Sequence, residues 1–397
     1  MIQTKPKKLD GFQKTIIGIQ FLFVAFGATV LVPLLVGIDP AVALFTAGVG
    51  TLLFHLITKG QVPVFLGSSF AFIAPIIEAT KLYGMAGTLS GLVAVGVLYM
   101  LVAALVKIRG ITFVERLFPP VVVGPVIMII GLSLASAAVD MAKSNWLIAV
   151  ISLLSAIIVV VYTKGMLRLI PVFAGILVGY VVSIFMGLVD FSKITEASWL
   201  MMPEFILPSL SWNAILYMIP VAIAPIIEHV GDMYAIGNVA DKNFVEKPGL
   251  HRTLLGDGIA TAFAGFFGGP PNTTYSEVTG AISLTKVTNP AVLRISAVTA
   301  ILFAFIGKLS GFLKSIPESV LGGIMLLLFG MIASIGLKSL ITAKTDMNET
   351  RNQVIVSVIL TIGIGGAIIS YGTFSLAGIG LASVVGILLN LILPKTK

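Results

Sequence analysis

The stretch GGPPNTTYSEVTG, residues 268–280, lies in an apolar region of the chain and yet cannot be a membrane-spanning helix. Paired prolines, paired glycines and an acid interrupt it, and a bilayer crossing needs roughly 20 apolar residues. A second stretch of the same kind, VPVFLGSSFAFIAP at 62–75, lies in the first half of the chain. Within them GSSFAF (67–72) parallels NTTYSE (272–277), which sets Phe70 opposite Tyr275. The likeness between the halves extends further. FPPVVVG (118–124), followed by Ala135-Ser136, matches IPESVLG (316–322), followed by Ala333-Ser334, at a constant offset of 198 in a chain of 397 residues. One pattern is therefore used twice, with a broken segment at the same place in each copy.

Reading outward from these breaks, runs of roughly 18 to 22 apolar residues mark the full spans. They fall near 15–37, 41–58, 86–106, 120–140, 146–163 and 169–189, and again near 213–235, 253–268, 292–313, 319–337, 353–371 and 375–393. The broken segments, about 63–79 and 269–285, are third and tenth in order and bring the count to fourteen. Seven crossings per copy is odd, so the second copy enters the membrane upside down. Inverted repeats with broken helices in corresponding positions are the mark of a secondary transporter whose site lies at the midplane. The expected fold is an all-α polytopic membrane protein of seven-plus-seven inverted repeats. The first repeat is 1–190, the second 213–397, and 191–212 forms a link on the outer surface, anchored by Trp199 and Trp212.

Composition agrees with a membrane protein. Hydrophobic residues make up 57% of the chain and charged residues 11%, with a mean hydropathy of +1.09. Soluble domains carry roughly 25% charge, so a soluble globule is excluded. The apolar run from about 16 to 38 is longer than a signal-peptide core and reads as a retained first span. The formal net charge of +8 reflects topology rather than nucleic-acid binding. Across the fourteen crossings, 20 Lys and Arg fall on the N-terminal side and 5 (Lys81, Lys143, Lys193, Lys308 and Lys314) on the other. Basic residues are retained in the cytoplasm, so both termini of this cytoplasmic-membrane protein are expected there. Cysteine is absent, which removes disulfides and thiolate chemistry, and no attached soluble domain is expected.

Once charges are allocated to loops, four acids remain at membrane depth: Glu228, Asp232, Asp257 and Glu277. An ionised Asp at the centre of a membrane helix costs on the order of 2.5 to 3.5 kcal/mol even on the lenient insertion scale, so such acids line polar cavities or ion paths. Glu228 and Asp232, four apart in IEHVGD, share one helix face, and Pro220 and Pro225 upstream would kink that helix. Like charges this close resist ionising together, which gives a symporter a means of coupling to protons. The plainer alternative pairs both with His229 for packing. His229 itself points about 100° from Glu228 and reads as a packing or hydrogen-bonding residue. His55 and His251 fall near span ends and read as interfacial; no HExxH spacing exists, and neither metal nor cofactor is expected.

Glu277 closes Thr274-Tyr275-Ser276-Glu277, which also fits an S/T-x-x-E capping box. A helix start inside a membrane, however, exposes N–H groups that favour a polar guest. Ser68 and Ser69 could cap the partner helix, and Phe70 could form a wall of a slot for a flat heterocycle whose ring N–H groups donate to the carboxylates. Asp257, in GDG at the start of the next span, suits a cap or a charge partner as well as a ligand. The runs GIGG (363–366) and GxGxxS (378–383) lie inside apolar spans and read as close helix packing.

These residues carry a resemblance. FGATVLVP (26–33), LGSSFAFIAP (66–75), LFPP (117–120), EHVGD (228–232), PGLHR (248–252), GFFGGPPNTTYSE (265–277) and SLTKV (283–287) make the sequence similar, over nearly its whole length, to the uracil and xanthine permeases of the nucleobase-ascorbate transporter family. The resemblance implies a core domain (15–110 plus 213–315), a gate domain (116–190 plus 316–394), proton-driven uptake and a homodimer. It also implies that Glu228 and Glu277 hydrogen-bond the nucleobase, that Glu228 and Asp232 couple to the proton, that Phe70, Tyr275 and Ser276 shape the slot, and that Ala28 and Phe329 close it apolarly. Two positions depart from the pattern: Asp232, where uracil permeases of this family typically have histidine and the purine branch commonly has aspartate, and Val278, where the family usually has asparagine. Glu277 resembles the uracil branch. The expected substrate is uracil, with xanthine or another purine as the alternative. An anion exchanger of the same architecture would need a positive or neutral site, and a membrane enzyme would need a nucleophile with a base or a metal constellation, none of which the sequence displays.

Overall fold

The computed structural model describes residues 10–112, 118–371 and 374–394. Lys5, Lys7, Lys8, Arg116, Leu117, Lys395 and Lys397, which entered the charge count or the motifs, lie outside the described residues. Helices dominate. The first set is α1 Gly11–Val36, α2 Pro40–Ile57, α3 Ile73–Arg109, α4 Pro120–Leu132, α5 Ala135–Lys143, α6 Trp146–Tyr162 and α7 Pro171–Phe185, followed by one turn, α8 Ser192–Thr195. Next come α9 Trp212–Met218, α10 Ile223–Ala240, α11 Leu250–Phe266, α12 Ser276–Thr285, α13 Pro290–Ala304, α14 Gly307–Lys314, α15 Glu318–Thr342, α16 Thr350–Ile364 and α17 Gly378–Ile392. Six helical stretches among the described residues are long and apolar enough to cross a membrane, and five shorter apolar helices accompany them.

The expectation of a purely helical chain is corrected by four short strands. β1 Leu66–Ser68 pairs antiparallel with β2 Asn272–Thr274, and β3 Ile368–Tyr371 with β4 Phe374–Ala377. The first pair is made by the two broken segments. Leu66 lies against Thr274, Gly67 against Thr273 and Ser68 against Asn272, and Ser69 N–H donates to Pro271 O (2.9 Å) at one end of the ladder. Unwound backbone at membrane depth must find its partners inside the protein, and here each break supplies them for the other.

Neighbouring helices clamp this ladder. Thr51 Oγ1 on α2 accepts from Leu66 N–H (2.9 Å), His55 Nε2 reaches Val64 O (2.9 Å), and Asn272 Nδ2 donates to Thr46 O (3.0 Å). Thr261 on α11 donates to Asn272 O (2.9 Å). His55, expected at an interface, is buried in this clamp. Ser68 does not cap a helix; its hydroxyl donates to Thr29 O on α1 (3.1 Å). Leaving β1, the chain makes a single 3₁₀ turn, Phe70–Phe72, and enters α3. The expected third and fourth segments join in α3, which changes direction at Gly84 (φ 72°, ψ 166°), a conformation open only to glycine.

Helices in 11–109 pack against those in 250–304: α3 on α11, α2 on α11 and α13, and α1 on α13. Helices in 120–185 pack against those in 318–392: α4 and α5 on α15, and α4 on α16 and α17. The link between the halves lies over α14, with Lys308 Nζ donating to Ile194 O (2.8 Å) and Thr195 O (3.0 Å), and Lys193 Nζ to Lys314 O (3.0 Å). Trp199 and Trp212 on this link are both exposed, and Lys308 sits over the Trp199 ring.

Gly67 is the tightest point of the ladder. A Cβ there would come within 2.5 Å of the Tyr275 ring, which is itself held by Tyr275 O–H donating to Ser68 O (2.9 Å). Gly67→Ala is expected to cost about 1–3 kcal/mol, the usual range for overpacking, and to lower the unfolding temperature of the detergent-solubilised protein. Gly380→Ala, where the added methyl meets only ordinary contacts, is expected to leave that temperature unchanged. Equal thermal behaviour of the two variants would contradict this view of the ladder.

Candidate functional site

Two helices begin at the ladder. The start of α3 follows β1 by way of the 3₁₀ turn and that of α12 follows β2, so the antiparallel pairing puts the two starts beyond opposite ends of the ladder. Neither start is capped by its own side chains: Ser69 precedes the 3₁₀ turn and Tyr275 precedes α12, both without a side-chain capping bond. The capping box expected at Thr274 and Glu277 therefore does not form. Thr274 Oγ1 instead lies 3.2 Å from His229 Nδ1, and the Glu277 carboxylate turns back to its own N–H. The Glu277 N–H is thus taken by its own carboxylate, and at the other start Phe72 N–H donates to Ser69 O (3.4 Å) and Ile73 N–H to Phe70 O, which leaves only the remaining first-turn N–H groups to face a polar guest.

The prolines upstream act as their chemistry requires. Pro220 lies in a 3₁₀ turn, Ile219–Ala222, that separates α9 from α10, and Pro225 sits in the first turn of α10. α10 then carries Glu228, His229 and Asp232 past the ladder. Asp232, only 5% exposed, accepts from Ser276 Oγ through Oδ1 (2.7 Å), while its Oδ2 has no partner among the described residues. Ser276, expected to shape the slot, thus joins α12 to α10 by its side chain.

Glu228 and Glu277 differ from Asp232 in access. Both have exposed or half-exposed side chains although protein surrounds them, which places them on the wall of a crevice rather than on the outer surface. They are close enough to feel each other's charge. Open space adjoins Glu228: a Cβ at Gly231, between Glu228 and Asp232, would touch nothing within 4 Å. Phe70 is half-buried at the end of β1. Ala28 and Phe329 are buried on α1 and α15.

Tyr275 is 4% exposed and lies at the other end of the ladder from Phe70, its ring covering Gly67 and its hydroxyl accepting from Thr29 Oγ1 (3.3 Å). The antiparallel register puts the backbones of Phe70 and Tyr275 beyond opposite ends of the ladder, while the Tyr275 ring reaches back along it to Ser68 O.

One pair was not legible in sequence. His229 Nδ1 lies 3.0 Å from Asp257 Oδ2, both side chains fully buried. Asp257 does not start a helix but sits in the middle of α11, because that helix begins at Leu250. His229 is thereby turned to α11 and not to the two acids on its own helix. The available signal was the presence of two buried ionisable residues with no local partner, which demands a distant one.

The family model Xan_ur_permease, described as a permease family, matches residues 12–371. The chain is 52% identical over 394 residues to a probable uracil permease of Pasteurella multocida (strain Pm70), covering 97% of this chain and 94% of the relative. It is 45% identical over 400 residues to the uracil permease of Bacillus subtilis (strain 168), covering 96% and 92%. Among solved structures, the transmembrane domain of the cyanobacterium bicarbonate transporter BicA superposes with a TM-score of 0.64 at 14% identity, covering 97% of this chain and 99% of that one. The murine anion transporter Slc26a9 superposes with a TM-score of 0.71 at 11% identity, covering 98% and 69%. These last two share the fold alone. By the extent of the family match and the identity of its relatives, this multi-pass membrane protein belongs to the xanthine and uracil permease family.

Proposed function

We propose that this chain is a secondary active transporter that takes up a nucleobase, uracil first, together with a proton. The observation that carries the reading is the pair Glu228 and Glu277, two carboxylates on a crevice wall beside the ladder from whose opposite ends two helices start without side-chain caps. The edge of uracil offers two ring N–H donors and two carbonyl acceptors. Carboxylates satisfy the first and free helix N–H groups the second. Relatives named as uracil permeases over nearly the whole chain support uracil in particular and a transporter rather than an enzyme.

In this reading Glu228 and Glu277 accept from the ring, and the half-buried Phe70 packs on its face. Ala28 and Phe329 close the slot apolarly. Tyr275 acts through the backbone it pins, and Ser276 through its bond to Asp232. Glu228 and Asp232 couple to the proton: binding a proton at one of them removes a charge from the crevice as the neutral ring enters. The paired breaks support a seven-plus-seven inverted arrangement, in which a core (15–110 plus 213–315) moves against a gate (116–190 plus 316–394) to open the site to each side in turn. Both termini then lie in the cytoplasm, and the gate joins two copies in a homodimer. The xanthine reading rests on Asp232, an acid where the uracil branch has histidine.

Uptake of labelled uracil into proteoliposomes under an imposed proton gradient tests the assignment. Competition by uracil analogues is expected, and inhibition by sulfate alone would overturn it. Glu277→Gln and Glu228→Gln are each expected to lower driven uptake by about tenfold or more, with the protein still inserted; unchanged uptake in both would remove these residues from the mechanism. Asp232→His is expected to shift the ratio of uracil to xanthine uptake toward uracil, and an unaltered ratio would discard Asp232 as the discriminating position.

A further inference from the structure

The exposed helix surfaces of this chain are mostly of one chemical kind. α6 presents Leu147, Val150, Leu154, Ile158 and Val161, as a lipid-facing helix should. α10 is different. Its exposed stripe reads Gly231, Tyr234, Ala235 and Asn238, at the three- and four-residue spacing of one helix face, and runs on into Asp241 and Lys242. An amide and charged groups are poorly tolerated by hydrocarbon, so the end of this stripe, from Asn238 to Lys242, faces water. It borders Glu228 at one end. At the other it meets a cavity of about 390 Å³.

This cavity has an apolar floor and a polar rim. Met233 and Phe244 form the floor and are buried, while Tyr234, Asn238 and Asp241 stand on the rim, Tyr234 with nearly half its surface open. Gly237 lets the loop fold back closely, a Cβ there lying 2.6 Å from Lys242 O. Asp241 ends α10 in the left-handed conformation, its N–H on Gly237 O. Among the described residues, the side chains of Tyr234, Asn238 and Asp241 form no hydrogen bonds with one another or with any neighbour, so their polar atoms are available to a guest. An open pocket of this volume, rimmed by an aromatic ring, an amide and a carboxylate, suits a flat heterocycle that has both N–H and C=O groups on its edge.

We infer that this cavity is a second station for the transported ring, between the carboxylates and the basic loops around Lys242 and Lys247. The inference rests on the nucleobase reading above. Ten residues separate Glu228 from Asn238, about 15 Å of helix, so a ring occupies one station or the other and passes between them. At this second station Tyr234 stacks on the ring, the Asn238 amide pairs with its N–H and C=O edge, and Asp241 accepts from a second N–H. The open rim makes this the weaker of the two.

The chain has no cysteine, so a single introduced thiol reports alone. Asn238→Cys is reacted with a membrane-impermeant maleimide applied to each side of sealed vesicles, with uracil as the probe. Labelling is expected only from the side of the basic loops, slowed about twofold or more by excess uracil and unaffected by sorbitol, and the protection is expected to persist when Glu277→Gln disables the carboxylate site. Tyr234→Ala with Asn238→Ala is expected to slow uptake about threefold while uracil binding to the carboxylates is retained. Loss of all protection in the Glu277→Gln background, or labelling only from the opposite side, overturns the second station while leaving the nucleobase reading intact if the unaltered protein still takes up uracil. Absence of any uracil uptake or protection in the unaltered protein overturns both.

Discussion

Backbone that leaves the helix inside a membrane has no solvent to bond to, and the whole arrangement of this protein answers that constraint. Leu66–Ser68 and Asn272–Thr274 solve it by pairing with each other, more than 200 residues apart in the chain. The pairing does more than satisfy amides. It holds two helix starts at the depth of the bilayer, and the clamp from Thr51, His55, Asn272 and Thr261 anchors them to α2 and α11. A helix start kept open in this way is a fixed set of donors, which a flexible side chain could not provide without losing entropy on binding.

Around the ladder, charge is distributed by access. Asp257 and His229 are fully enclosed and face each other, Asp232 is enclosed and bonded to Ser276, while Glu228 and Glu277 reach the crevice. The close approach of His229 to Asp257 brings α10 against α11, and Thr274 of the ladder reaches the same imidazole nitrogen. The acids on the crevice wall are free of such partners. Their cost in the folded state is the cost of a binding surface, and a ligand that supplies N–H donors offsets it.

Much of this was readable before any coordinates. The Pro-Pro and Gly-Gly pairs before Asn272 and the short apolar run around Ser68 marked both breaks, and the spacing of Glu228 and Asp232 marked the helix that passes them. Local pattern could not carry the register of the ladder, and so it could not show that Phe70 and Tyr275 end at opposite sides of it. Nor could it show that Thr274 would prefer His229 to a capping role, or that Asp257 would lie in the middle of a helix. Each of these depends on a partner in a distant part of the chain. The strands themselves escaped because three residues flanked by helix are too short to show an alternating pattern.

The most direct test of the account is an experimental structure of the protein with uracil bound. It should place the ring between the two helix starts, with a carboxylate oxygen of Glu228 and one of Glu277 within roughly 2.7–3.2 Å of ring nitrogens. A ring held away from both acids, or continuous helices running through 66–68 and 272–274, would contradict it.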